Sequence, residues 1–436
     1  MSAGWGLHRR ELFAWATYDW ANSVFMTTVL TVFPIYFSEV VAKALPRTAA
    51  SERFAIATTV SMVLIALLAP VLGALADQAG IKKKLLGAFL TLGVLGTGAL
   101  FFVGSGEWVR GLVFFGLANV GVTGSLVFYE SLLPHIARED ELDRVATAGY
   151  AVGYLGGGVL LAVNLLWITK PALFGIADAA SAMRLSFLSA AVWWAVFSLP
   201  LFLIVREPPT DGLPRARGSA LLQAFARLLR TLGELRRYRD AFLFLLAFMI
   251  YNDGIMTIIR MAPVYGTEIG IPRGSLISAI LLVQFVGVPF AFLFGMLAAR
   301  LGAKVSIFLA LAVYVGIALV AYRMQTTREF FLLATLVGMV QGGSQALSRS
   351  VFARLIPKHK SSELFAFFGV FEKFAGIFGP LVFALMIRST GSSRGAALSL
   401  VAFFVVGGIL LAFVDVERGR EAARGSEADA LRPQPA

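Results

Sequence analysis

Twelve long apolar stretches, separated by short polar ones, leave this chain very little choice of fold. A helix that crosses a bilayer needs about 20 predominantly apolar residues. Stretches of that kind run approximately over 12–40, 54–77, 85–105, 108–133, 145–169, 185–205, 240–266, 275–299, 305–323, 329–355, 363–387 and 395–414. Tyrosine, phenylalanine and tryptophan flank many of their ends, where ring side chains favour the membrane–water boundary. Charged residues make up 15% of the chain, against about 25% in an ordinary soluble domain. The expected fold is therefore an all-α membrane protein of twelve transmembrane helices, with the lipid bilayer as its first partner. The chain has no cysteine, which excludes disulfides and thiolate metal sites; no metal and no cofactor is expected.

The pattern is duplicated. Gly73-Ala-Leu-Ala-Asp77-Gln-Ala-Gly80-Ile-Lys82-Lys83-Lys84 closes the second stretch, and Gly295-Met-Leu-Ala-Ala299-Arg300-Leu-Gly302-Ala-Lys304 closes the eighth in the same register. Gly73, one turn before the acid, lets a helix end pack close to a neighbour. Gly80 turns the chain, and the lysines from Lys82 on stay at the aqueous surface. Ser131-Leu-Leu-Pro134 is echoed by Arg354-Leu-Ile-Pro357, and Gly149 and Gly156 by Gly369 and Gly376. Two six-helix halves are expected, over 1–205 and 239–416. A linker over 206–238 carries Pro208, Pro209 and Pro214; from Ser219 its leucines and arginines separate onto two sides of an amphipathic helix suited to a membrane surface. The polar residues 417–436 read as a disordered tail.

Placing both termini in the cytoplasm puts 24 of the 38 lysines and arginines on that side and 11 on the other; Arg260, Arg349 and Lys373 fall within spans. The positive-inside rule asks for that asymmetry. It also accounts for the net charge of +12 through anionic lipid at the inner leaflet, so nucleic acid is not needed as a partner.

Ionisable groups inside the spans are few and one-sided. Asp19, Asn22 and Ser23 share a face of the first span, and Asn119, Thr123 and Glu130 a face of the fourth. Asn252, Asp253, Thr257 and Arg260 lie in the seventh, Gln341, Gln345 and Arg349 along the tenth, and Glu372 with Lys373 in the eleventh. Seven ionised groups facing lipid would cost roughly 20 kcal/mol at about 3 kcal/mol each, more than the stability of a typical domain, about 5–15 kcal/mol. They must be paired, hydrated or neutralised. One reading makes them structural ion pairs; the other makes them the lining of a watery path. Because a guanidinium keeps its proton, Arg349 is expected to pair with Glu372 or Asp253. Four acids against three bases leave one carboxylate over, and Asp19, with no base in its own span, is the first choice for a proton-coupling site.

The repeated loop resembles the loop signature of the major facilitator superfamily. Tyr18-Asp19-Trp20-Ala21-Asn22-Ser23, Tyr251-Asn252-Asp253-Gly254, Gln341-Gly-Gly-Ser344-Gln345 through Arg349 and Phe371-Glu372-Lys373-Phe374 resemble one branch of it. That branch contains the fungal vacuolar effluxers tied to autophagy and many bacterial members. The resemblance implies that helices 1, 4, 7 and 10 line a central cavity. It also implies that Gly73, Asp77, Gly80 and Lys82 form a conformational latch, with Ala299 leaving the second copy without its acid. It implies a secondary transporter of a small polar solute by alternating access, an amino acid or similar, in the direction of efflux. Protons as coupling ion, a monomer and a bacterial plasma membrane complete the expectation. No Gly-Lys dipeptide or His-Glu-x-x-His occurs, so P-loop ATPase and zinc-hydrolase chemistry are excluded and the chain does not read as an enzyme. A solute receptor on a transporter fold, or a flippase for amphipathic lipids or drugs, remains open as the alternative.

Overall fold

A computed structural model describes residues 7–45, 47–208, 238–375, 378–390 and 393–431. In a hydrocarbon layer each backbone N–H and C=O has to be satisfied within its own segment, which a helix achieves and an open strand does not. The apolar stretches accordingly become α1 (Arg10–Val41), α2 (Arg47–Ala79), α3 (Lys82–Ala99), α4 (Trp108–Ile136), α5 (Leu142–Thr169) and α6 (Ala179–Ile204). The second half supplies α7 (Arg239–Glu268), α8 (Arg273–Leu301), α9 (Ala303–Arg323) and α10 (Thr327–Leu355). It continues with α11 (Ser361–Phe374), α12 (Phe378–Thr390), α13 (Ser393–Ala412) and α14 (Val416–Leu431).

Among the described residues, 11 helices are long and apolar enough to cross a membrane. The remaining crossing, expected as one helix over 363–387, is covered by α11 and α12, of 14 and 13 residues. Pro380 is the third residue of α12, a place where its missing N–H removes no helical bond. The disordered tail expected from 417 is a helix as far as Leu431. Composition could not show what α14 holds on to: Arg418 pairs with Asp240 at 2.6 Å, and Tyr238 and Ser426 share a hydrogen bond of 2.8 Å. Residues 209–237, with the amphipathic helix expected from Ser219, and residues 432–436 lie outside the described residues.

Successive helices run in opposite senses. The start of α1, the α2–α3, α4–α5, α8–α9 and α10–α11 connections, the end of α6, the start of α7 and α14 therefore share one face of the bundle, the terminal face; the α1–α2, α3–α4, α5–α6, α7–α8, α9–α10 and α12–α13 connections form the distal face. Within the first half α1 packs on α5 and α6, and α4 on α3; within the second, α8 packs on α10 and α7 on α13. Across the halves α5 packs on α8 and α10, and α11 on α2 and α4.

The repeated loop has a repeated geometry. Gly80 and Gly302 turn the chain at φ of 64° and 87°, in the left-handed region where glycine alone is unstrained. A lysine follows each turn. Lys83 Nζ donates to the carbonyls of Phe202 (3.0 Å) and Val205, closing α6; Lys304 Nζ donates to those of Ala412 (2.9 Å) and Val414 (2.7 Å), closing α13. These lysines are not merely solvated. Each satisfies the open carbonyls at the end of the sixth crossing of its own half.

Candidate functional site between the halves

Trp15, Tyr18, Asp19 and Asn22 fall at helical spacing along one buried face of α1. Opposite them α5 offers Gly149 and Gly153. A Cβ on Gly149 would stand 2.4 Å from Asp19 Oδ2 and 3.3 Å from Arg349 Nη2. Only a glycine leaves room for an acid of the first half and a base of the second to meet here. Arg349, 2% exposed, sets Nη2 3.3 Å from Asp19 Oδ2 and donates to the Ala146 carbonyl at 3.1 Å. Its guanidinium lies 4.8 Å from the ring centres of Trp15 and Tyr150 and 5.7 Å from that of Tyr129. The box is braced: Trp15 stacks on Tyr129 at 4.5 Å and donates to its carbonyl at 3.1 Å.

This pairing corrects two expectations. Arg349 meets Asp19 rather than Glu372 or Asp253, and Asp19 is not the carboxylate left over. The partner comes from a helix of the opposite half, which no count of charges along single spans can reveal. Glu130 and Glu372 lie near enough for their charges to reach Tyr150 together with those of Asp19 and Arg349. The buried Asn22 sits on the same face of α1, its Nδ2 without a partner among the described residues.

The other candidates gather elsewhere. Asp253 accepts from the Gly379 N–H at 2.9 Å, so each half sets an acid of its first helix against a glycine of its fifth crossing. Arg260 is exposed on α7 and feels the Asp253 charge. Asn252 is fully buried beside it, Gln345 is half-buried, and Gln341 lines a cavity inside the second half. Lys373 belongs to α11, and its side chain lies outside the described residues.

The residues of the first repeated loop meet the second half at the terminal face. The Asp77 carboxylate accepts from the backbone N–H groups of Ser362 (3.1 Å) and Glu363 (3.0 Å), at the first turn of α11. An acid there meets unpaired N–H groups and the positive end of the helix dipole. A Cβ on Gly73 would come within 2.6 Å of the Ser362 carbonyl, so the glycine is what allows α2 to approach. Gly295 plays the same part in the second half, against Thr147 of α5. Lys82, expected in water, is 4% exposed: its Nζ lies 2.8 Å from Asp77, 2.6 Å from Ser361 Oγ and 2.9 Å from His135 Nε2. The acid buried one turn earlier draws it in.

Further out, Arg354 of α10 bridges Asp143 of α5 at 2.8 Å and donates to the Glu139 carbonyl at 3.0 Å. Arg424 of α14 holds the Glu139 carboxylate at 2.6 Å, and Arg420 joins it. Burial works to raise the Glu139 carboxyl, but the hydrogen bonds from Arg424 and Arg420 outweigh it and hold it below the ordinary carboxylate value. Sequence reasoning missed Trp15, Tyr129, Tyr150, Asp143 and Arg354. Trp15 carried a signal, one turn before Asp19; the others needed the fold.

The family described as vacuole effluxer Atg22 like matches residues 40–424. An uncharacterized MFS-type transporter of Bacillus subtilis, YxiO, is 36% identical over 422 residues, which cover 94% of this chain and 96% of that one. Autophagy-related protein 22 of Pyricularia oryzae is 24% identical over 446 residues, and the chain spans 64% of its length. Among solved structures, a proton:xylose symporter superposes with a TM-score of 0.72 at 14% identity, covering 95% of this chain and 98% of that one. The Escherichia coli fucose:proton symporter gives 0.69 at 15%, covering 93% and 98%. Likeness at that identity carries the fold alone: two six-helix halves of the major facilitator kind.

Proposed function

The chain belongs to the Atg22-like family of major facilitator transporters, and from that premise we propose that it carries a small zwitterionic solute, an amino acid or a similar molecule, by alternating access coupled to protons. The observation that carries the reading is the single-contact ion pair between Asp19 and Arg349, held across the two halves in a box of aromatic rings. A zwitterion brings one carboxylate for Arg349 and one ammonium for Asp19. It can replace the internal pair charge for charge, so no buried charge is left uncompensated, a state that costs several kcal/mol. A proton on Asp19 has a related effect, since it releases Arg349 to another anion. Asp19, Glu130, Arg349 and Glu372 are the substrate and coupling groups in this reading, and Gly73, Asp77, Gly80 and Lys82 hold the terminal face shut until they exchange partners.

The basic excess supports a cytoplasmic terminal face, so the sealed side is the inner one. The family's description as vacuole effluxers supports efflux, and a plasma-membrane monomer is the simplest setting. Residues 206–238 then tether the halves 1–205 and 239–416 on the cytoplasmic side. Flux of a panel of amino acids into proteoliposomes, with and without an imposed pH gradient, tests the reading. Accumulation that follows the gradient and fails in Asp19→Asn supports it. Binding without flux would make the protein a receptor, and movement of lipid reporters alone would make it a flippase.

A further inference from the structure

A space of about 160 Å³ lies inside the second half, apart from the Asp19–Arg349 pair, among α7, α8, α9, α10, α12 and α13. Tyr265, Leu276, Met324 and Phe330, near helix ends of the distal face, mark its outer part; Gln284 and Gln341, near the middle of α8 and α10, mark its inner end. Aliphatic side chains and two phenylalanines form almost all the rest of the wall. Among the described residues, only Tyr265, Gln284 and Gln341 bring side-chain nitrogen or oxygen to it, and the Tyr265 hydroxyl is already committed to the Ala321 carbonyl at 2.9 Å. The Oε1 atoms of Gln284 and Gln341 are buried and find no hydrogen-bond partner among the described residues.

Those facts narrow the occupant. A sealed apolar cavity of roughly 150 Å³ takes up a benzene-sized molecule, and the mostly apolar wall here suits an occupant of the same kind. No charged side chain among the described residues lines it, which disfavours an ion. Two unpartnered acceptors at one end call for a donor, because a buried carbonyl oxygen without one carries its desolvation cost uncompensated. We propose that this cavity is a binding site for a neutral, ring-sized apolar molecule bearing one hydrogen-bond donor, of the phenol class, its donor directed at Gln284 and Gln341. The inner end adjoins the seam between the halves. Gln341 precedes Gly342, where a Cβ would meet the Tyr154 ring of α5 at 2.4 Å, and the Gln284 Cβ lies 3.2 Å from the Cβ position of Gly158. An occupant therefore touches α8 and α10 where they bear on α5.

Fluorine NMR of 4-fluorophenol and 4-fluorotoluene, with the full chain in nanodiscs and with empty nanodiscs as reference, tests the site. The expected result is a saturable bound signal for both probes, displaced by unlabelled phenol, with 4-fluorophenol favoured roughly fivefold, as one net hydrogen bond allows. Ala334→Phe fills the space and should abolish the signal; Ala334→Leu, a milder filling, should weaken it if the larger residue fails to fold. Gln284→Leu with Gln341→Leu should keep 4-fluorotoluene binding and erase the preference for the phenol. Signals that match empty nanodiscs, or that survive in a folded Ala334→Phe protein, would overturn the site. A phenol preference unchanged in the double glutamine variant would overturn the role of the two acceptors.

Discussion

Arg349 shows how much one side chain can hold together. It is buried, ringed by Trp15, Tyr129 and Tyr150, and touches Asp19 through a single nitrogen. Removing one member of a buried pair leaves the other uncompensated, so Arg349→Met should cost about 3–5 kcal/mol of stability. The double change Arg349→Met with Asp19→Asn should recover most of it while transport stays lost. Chemical or thermal unfolding of both variants beside a flux assay checks this; a double variant no more stable than the single would remove the pairing argument. Gly149→Ala is the companion experiment. A methyl group 2.4 Å from the Asp19 carboxylate forces the pair apart, with an expected loss of about 1–3 kcal/mol, the usual cost of overpacking, and a sharp fall in flux. Unaltered flux in a stable Gly149→Ala protein would mean that the pair is dispensable.

At the scale of elements, the terminal face is closed by helix ends meeting across the halves. Asp77 caps the first turn of α11 from α2, and Gly73 lets the two approach. Asp77→Asn keeps the shape and loses the negative charge. The expected cost is about 0.5–2 kcal/mol, the range for a disturbed helix cap, with the equilibrium shifted toward an open terminal face. Cysteine labelling of terminal-face positions in this cysteine-free chain would register that shift; labelling rates equal to those of the parent would refute it. Ala299→Asp, at the matching position of the second copy, should change little, because Ala299 is exposed and nothing there requires an acid. Loss of transport in that variant would contradict the asymmetry of the two loops.

Across the whole molecule, α14 fastens the second half to the first through Glu139. Arg420 and Arg424 hold that carboxyl below its ordinary value of 4.5. A depressed folded value means that the contact stabilises the docked state fully above about pH 4.5 and loses that contribution as the pH falls through the folded value. Exposed pairs of this kind are weak and screened by salt, so undocking of α14 on acidification should come earlier at high ionic strength. Proteolysis between Asp415 and Arg424, followed from pH 7 to pH 3 at two salt concentrations, checks this. Cleavage that ignores both pH and salt would show that the ion pairs do not hold α14.

The sequence by itself determined the membrane class, the twelve crossings and the duplication, because hydrophobic length and loop motifs are local properties that survive in a string of letters. It also marked Asp19 and Arg349, because an ionisable group in an apolar stretch is conspicuous wherever it later lies, and Asp77 through its repeated loop. Only the tertiary structure decided who meets whom. The Asp19–Arg349 pair, the aromatic box, the burial of Lys82 and the helical tail on Glu139 all depend on helices distant in the chain being brought within a few ångströms. Those contacts are fixed by how glycine faces such as Gly73, Gly149 and Gly295 let helices approach, and charge counted span by span carries no information about approach. The cavity between Gln284 and Gln341 lay beyond reading for the same reason: a void is a property of packing among six helices, and no residue is its sequence signal.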